Sequence, residues 1–153
     1  MKAFQEVISP DIVDVLHREH EQIRQLCTDI RTAGRDRKQR PLTALRQAVH
    51  LHQLGELSVA HPAVRNTGSD GDTIALASQV EGERVERSLT ELGRLGIHHP
   101  DFDARFAVLT GALLDHAEHQ ERDEFPLLRR YVPAHRLHMM ASAMRDVRVM
   151  AVD

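Results

Sequence analysis

Tryptophan is absent from this 153-residue chain, tyrosine occurs once and phenylalanine four times, so aromatic residues amount to 3%. A β-sandwich or barrel needs alternating aromatic and β-branched residues, and there are too few here to build one. With a single cysteine, Cys27, the chain cannot form an internal disulfide, and a reducing compartment is the default setting for such a protein. Neither sign of charge dominates: 20 Lys and Arg face 23 Asp and Glu, for a net charge of −3. No basic block stands out, which argues against nucleic acid as a partner and against a polybasic membrane anchor. No run approaches the roughly 18 apolar residues of a membrane span, and Met1 to Pro10 lacks the apolar core of a signal peptide. These features describe a cytoplasmic chain whose length fits a single domain over residues 1–153.

Histidine, by contrast, occurs 11 times, and imidazole is the commonest protein metal ligand. Where these residues fall follows from the helical pattern. Ser9-Pro10-Asp11 reads as a helix start, and Ile12, Val15, Leu16, Ile23, Leu26 and Ile30 repeat at helical spacing up to Gly34. Arg35 to Arg40 reads as a solvated connector. Pro41 opens a second helix carrying Leu42, Leu45, Val49, His52 and Glu56, and His61-Pro62 is expected to stop it. Asn66 to Asp72, rich in Gly, Ser and Asp, is a surface loop joining two halves. A third helix spans about 72–95, with Val85, Leu89, Leu92 and Leu95 on one stripe. Asp101 caps a fourth, which runs from Phe102 towards Pro126. After Pro133 a shorter amphipathic segment covers about 134–150. The fold expected is all-α: an up-down-up-down four-helix bundle over about 10–131 with a short additional C-terminal helix. That last helix either packs on the outside of the bundle or supplies a homodimer contact.

The second and fourth helices repeat one another. His52 and His116, like Pro62 and Pro126, lie 64 residues apart (116 − 52, 126 − 62). A helical hairpin duplicated in this way closes into a bundle of approximate two-fold symmetry, with these two helices across the core from each other. Residues four apart share a helix face, so His52 and Glu56 can point at one ion, and bundles house iron or manganese with Glu and His from facing helices. On the first helix His20 is in step with Ile23 and close to the Leu16 stripe, and is the natural third ligand.

These residues resemble the hemerythrin-like cation-binding domain, whose ligand order is His, His-x-x-x-Glu, His, His-x-x-x-Glu. The resemblance spans Asp11 to Tyr131. Glu19-His20 matches the first histidine, His52 and Glu56 the second-helix pair, His116 the fourth-helix histidine, and Phe125-Pro126-Leu127-Leu128 the usual ending; His61-Pro62 stands where an aromatic precedes proline. Two positions depart: Gly82, preceded by Glu81, stands where the third histidine belongs, and Gln120 replaces the last carboxylate. The resemblance implies a pair of non-haem iron ions handling oxygen or a related small molecule. Here the half-site His20, His52 and Glu56 is intact, while the half-site Gly82, His116 and Gln120 is depleted.

Three outcomes fit the depleted half. Glu121, Glu86, His119 or Asp123 could substitute and rescue a two-ion site. One ion could be held by His20, His52, Glu56 and His116, since two histidines and a carboxylate with open positions suit non-haem Fe(II). Alternatively Gly55 and Gly82, each costing about 1 kcal/mol against Ala in a helix, could open a slot for haem with one of the histidines as axial ligand. The bland account of the glycines is close helix approach. The function expected is an iron-binding protein that binds or reacts with oxygen, nitric oxide or peroxide, an iron-dependent oxidoreductase if it turns over. A haem protein or a metal-free interaction bundle are the alternatives. His17, His50, His98, His99, His135 and His138 need only solvent, and Cys27 reads as a small buried hydrophobe.

Overall fold

The computed structural model describes residues 9–152; the stretch read above for a missing signal peptide falls largely outside them. Every regular element among the described residues is helical, and no helix there is long and apolar enough to cross a membrane. Helix α1 (Ile12–Thr32) starts at Asp11, two residues beyond Ser9. The Asp11 carboxylate accepts from Asp14 N–H while the Asp14 carboxylate accepts from Asp11 N–H, satisfying donors that a helix start leaves free. At the other end Lys38 turns inward, so the connector is not wholly solvated: its Nζ donates to the Ile30 carbonyl at 2.5 Å.

Helix α2 (Gln39–Gly55) does not stop before Pro62. It passes through one π turn, Glu56–Ala60, into α3 (His61–Arg65), making a continuous rod. The loop expected at 66–72 is shorter than read, because α4 (Ser69–Leu95) begins inside it. Helix α5 (Phe102–His119) likewise crosses a π turn, Gln120–Glu124, into α6 (Phe125–Tyr131). Asp101 occupies the N-cap position of α5 without a side-chain hydrogen bond. Helix α7 (Ala134–Val152) completes the chain.

Both π turns have the same cause. Pro62 has no N–H for the Ser58 carbonyl and Pro126 none for the Arg122 carbonyl, and each ring would strike that oxygen in a regular helix. A wider turn relieves the clash: His61 N–H reaches back to the Glu56 carbonyl and Phe125 N–H to the Gln120 carbonyl, five residues in each case. The helices thus continue through prolines that the sequence pattern reads as stops.

Helices α2 and α5 each pack on α1 and α4, and so face one another diagonally, as the repeat requires. Helix α7 lies against α1, α2 and the first π turn of its own chain, burying Leu137, Ala141 and Met144. The core is divided in two. One apolar cluster runs from Ile23 and Ile30 through Leu45, Val49 and Leu89 to Phe106 and Leu113; the other gathers Leu16, Val64, Phe125, Leu128 and Met144. Each fully buried aliphatic side chain contributes about 1.5–3 kcal/mol. Between the clusters in sequence on α1, on the α2 rod and on the α5 rod sits a polar layer.

Candidate metal centre

That layer holds buried His20, His52, Gln53, Glu56, His61, Ser78, His116, Gln120 and Glu124. Burying so many polar groups is expensive unless each is paired or holds an ion. Six other histidines, His17, His50, His98, His99, His135 and His138, are exposed, and His119 is half-buried. The 11 histidines therefore divide as the helical pattern expects, except that His61 joins the interior.

Three of the four anticipated ligands converge. His20, His52 and Glu56 each offer one donor atom, all within 4.8 Å of one another. His52 Nε2 lies 3.2 Å from Glu56 Oε1. Gln120 Oε1 lies 2.9 Å from His20 Nε2 and 3.2 Å from His52 Nε2, so this amide aims an oxygen at the same point. Its NH2 donates to Ser78 Oγ. The outer ring nitrogens are also held. His52 Nδ1 donates to Glu19 at 2.7 Å, and Glu19 in turn pairs with Arg148 of α7. His20 Nδ1 donates to Glu121 at 3.2 Å, which is clamped by Arg24. Such outer partners fix the tautomer and turn Nε2 inward. The His20 ring also stacks on Phe125, 5.5 Å between centroids.

The electrostatics follow from burial and proximity. Burial, with the His52 charge beside it, pushes His20 down to about 4, leaving it neutral and its Nε2 lone pair free at ordinary pH. Burial also acts to lower His52, but contact with the Glu56 carboxylate prevails and holds it above the usual imidazole value. For Glu56 burial alone would raise the pKa; the contact with His52 and the charges of His52, His61 and His20 overcome this and bring it down to about 2. Glu56 is thus an anion at 0% exposure with neither oxygen in a hydrogen bond. A His20 lone pair, an amide oxygen and an anionic carboxylate oxygen facing one point repel each other. The His52 Nε2–H offsets part of this repulsion in the metal-free protein, and a divalent cation in place of that proton would meet all four donors, which fit one.

His116 is placed differently. It lies outside this group; its Nδ1 donates to Glu81 at 2.7 Å and its Nε2 faces Gln53 Nε2 at 3.4 Å. The glycine positions are filled. A Cβ on Gly82 would strike the Gln53 carboxamide, and one on Gly55 would strike the Met144 methyl. The glycines allow the Gln53 and Met144 side chains to approach closely. The suggested substitutes are engaged elsewhere too: Glu121 with Arg24 and His20, Glu86 with His50, His119 with Glu81, Asp123 with Arg122.

Sequence reading missed His61 and Glu124. His61 follows Glu56 by five residues, about 140° around a regular helix, and only the π turn brings both inward. His61 Nδ1 lies 3.1 Å from Glu124 Oε2 and 3.5 Å from Glu56 Oε2. Glu124 is carried by the matching π turn. The prolines at 62 and 126 were the available signal, read as stops rather than as wide turns.

A diagonal pairing of proline-crossed helices around a buried His and Glu layer, with α7 added outside, is the hemerythrin-like architecture. Among solved structures the chain is similar to a hemerythrin HHE cation-binding domain-containing protein from Mycobacterium kansasii, an Rv2633c homolog, with a TM-score of 0.80 and 21% identity over 94% of this chain and 90% of that one. No family model and no curated protein matches the sequence. The likeness establishes the fold; the site rests on the geometry above.

Proposed function

We propose that the protein binds iron through His20, His52 and Glu56 and uses it to bind or react with a small diatomic or oxidant ligand such as oxygen, nitric oxide or peroxide. One observation carries the proposal: two imidazole Nε2 atoms, the buried Glu56 carboxylate and the Gln120 amide oxygen converge on one buried point. The similar Mycobacterium kansasii protein is named for cation binding, in agreement. Two histidines and one carboxylate leave coordination positions open, and iron so held supplies reactivity towards oxygen-type ligands.

The chain's own residues set the conditions. Glu19 and Glu121 hold the two imidazoles with Nε2 inward. Gln120 contributes a neutral oxygen where the family pattern has an anion, so the centre carries less negative charge. Leu16, Ile23 and Phe125, all buried, flank the layer and keep bulk water out. His116 with Glu81 and Gln53 is a hydrogen-bonded support beside the site.

The test is expression with iron supplied, followed by metal analysis and electronic absorption before and after anaerobic addition of nitric oxide. Expected are stoichiometric iron, no Soret band, a spectral change with nitric oxide, and loss of iron in His52→Ala. A folded protein that takes up no iron, or an intense Soret band, overturns the reading.

A further inference from the structure

Beyond the first ion, we infer that the protein holds a second divalent cation between Glu56, His61 and Glu124, so that the Glu56 carboxylate bridges two ions. This rests on the proposed first site and places the second ion away from Gly82 and His116, the positions where the family pattern would put it. At those positions the Gln53 carboxamide stands beside Gly82 and faces His116 Nε2.

Glu56, His61 and Glu124 offer donor atoms within 4.8 Å of one another, the second such group among the described residues. Glu56 is common to both. Its Oε1 faces His52 at 3.2 Å and its Oε2 faces His61 at 3.5 Å, the disposition of a carboxylate shared between neighbouring ions. All three side chains are buried, at 0%, 0% and 1% exposure, yet Glu56 Oε1 and Oε2, His61 Nε2 and Glu124 Oε1 have no hydrogen-bond partner. Three of these atoms belong to the two facing carboxylates, which have only the His52 and His61 rings against them, and buried carboxylate oxygens without hydrogen bonds are costly.

Position in the repeat explains why only one of the two possible copies of this site exists. Under the 64-residue offset His61 corresponds to Phe125 and Glu124 to Ala60. Each half contributes one ligand that the other half lacks. A pocket of about 260 Å³ lined by Ser78, Glu81, Asp123 and Glu124, among others, adjoins Glu124. Two carboxylates and one imidazole form a harder donor set than that of the first site, suited to Fe(II) or Mn(II).

The experiment is anaerobic titration of the metal-free full chain with Fe(II), removal of free ion, and measurement of iron per chain for the wild type, Glu124→Gln and His61→Phe. The expected result is two ions in the wild type and one in each variant. One ion in all three overturns this inference and leaves the proposed function standing; two in all three also overturns it, since the second ion then lies elsewhere. No ion in the wild type overturns the proposed function itself. Should either variant fail to fold, electron paramagnetic resonance of the wild type loaded with Mn(II) decides. A carboxylate-bridged pair gives an exchange-coupled spectrum, and the spectrum of isolated Mn(II) overturns the inference.

Discussion

Replacing Glu56 by Gln keeps the shape of the side chain and removes its charge, at the residue on which both proposed ion sites depend. An iron ion bound there would stabilise the fold by mass action, about 2.7 kcal/mol when free Fe(II) stands at roughly 100 times the dissociation constant. For a chain of this size each kcal/mol moves the melting temperature by about 2–4 °C, so iron should raise it by about 5–11 °C. The metal-free variant behaves differently. Losing the ion-pair contacts from Glu56 to His52 at 3.2 Å and His61 at 3.5 Å destabilises the metal-free variant, but the variant is also spared the cost of burying a carboxylate charge at 0% exposure. These effects oppose, and the metal-free stability should shift by less than about 2 kcal/mol. The assay is thermal unfolding by circular dichroism, anaerobically, with and without Fe(II). Wild type should show the iron-dependent rise and Glu56→Gln should lose it. An equal rise in both proteins would refute the reasoning, because the stabilising ion would then be held without Glu56.

Other consequences can be checked on the metal-free protein. Gly55→Ala drives a Cβ into the Met144 methyl; overpacking costs about 1–3 kcal/mol, against about 1 kcal/mol gained in helix propensity. Urea unfolding should show net destabilisation, abolished when Met144→Ala is the background. Asp11→Ala removes the α1 cap and its contact with Arg129 and should lower stability by about 1 kcal/mol, read as a lower urea midpoint at unchanged slope. Burial pushes the Cys27 thiol up to about 11, despite the Thr110 hydroxyl. The thiol should resist iodoacetamide at pH 8 when native and react in urea. Since the folded state holds this proton more tightly than the unfolded state, stability should fall as pH rises from about 9 to about 11.

The helices, their diagonal pairing and the inward turn of His20, His52 and Glu56 were legible because each depends on period and spacing, and residues four apart stay on one face in any α-helix. What could not be read shares one cause. A proline in a helical pattern signals a stop, and nothing local in Leu57 to Ala60 or Glu121 to Glu124 shows that the helix will widen by one residue and continue. That single insertion turns His61 beside Glu56. The glycines illustrate a second limit: Gly55 and Gly82 mark missing side chains, but which neighbour fills the space is settled by tertiary packing, by Met144 from α7 and by Gln53. His116, in register with His52 in the repeat, bonds Glu81 through Nδ1 as His52 bonds Glu19, but its Nε2 meets the Gln53 carboxamide.

The most direct test of the central claim is anomalous diffraction at the iron edge from crystals of the iron-loaded protein. The account predicts a peak within bonding distance of His20 Nε2, His52 Nε2 and the Glu56 carboxylate, in the buried layer between the two apolar clusters. Iron peaks confined to exposed histidines such as His98, His99, His135 or His138, with that layer empty, would contradict it.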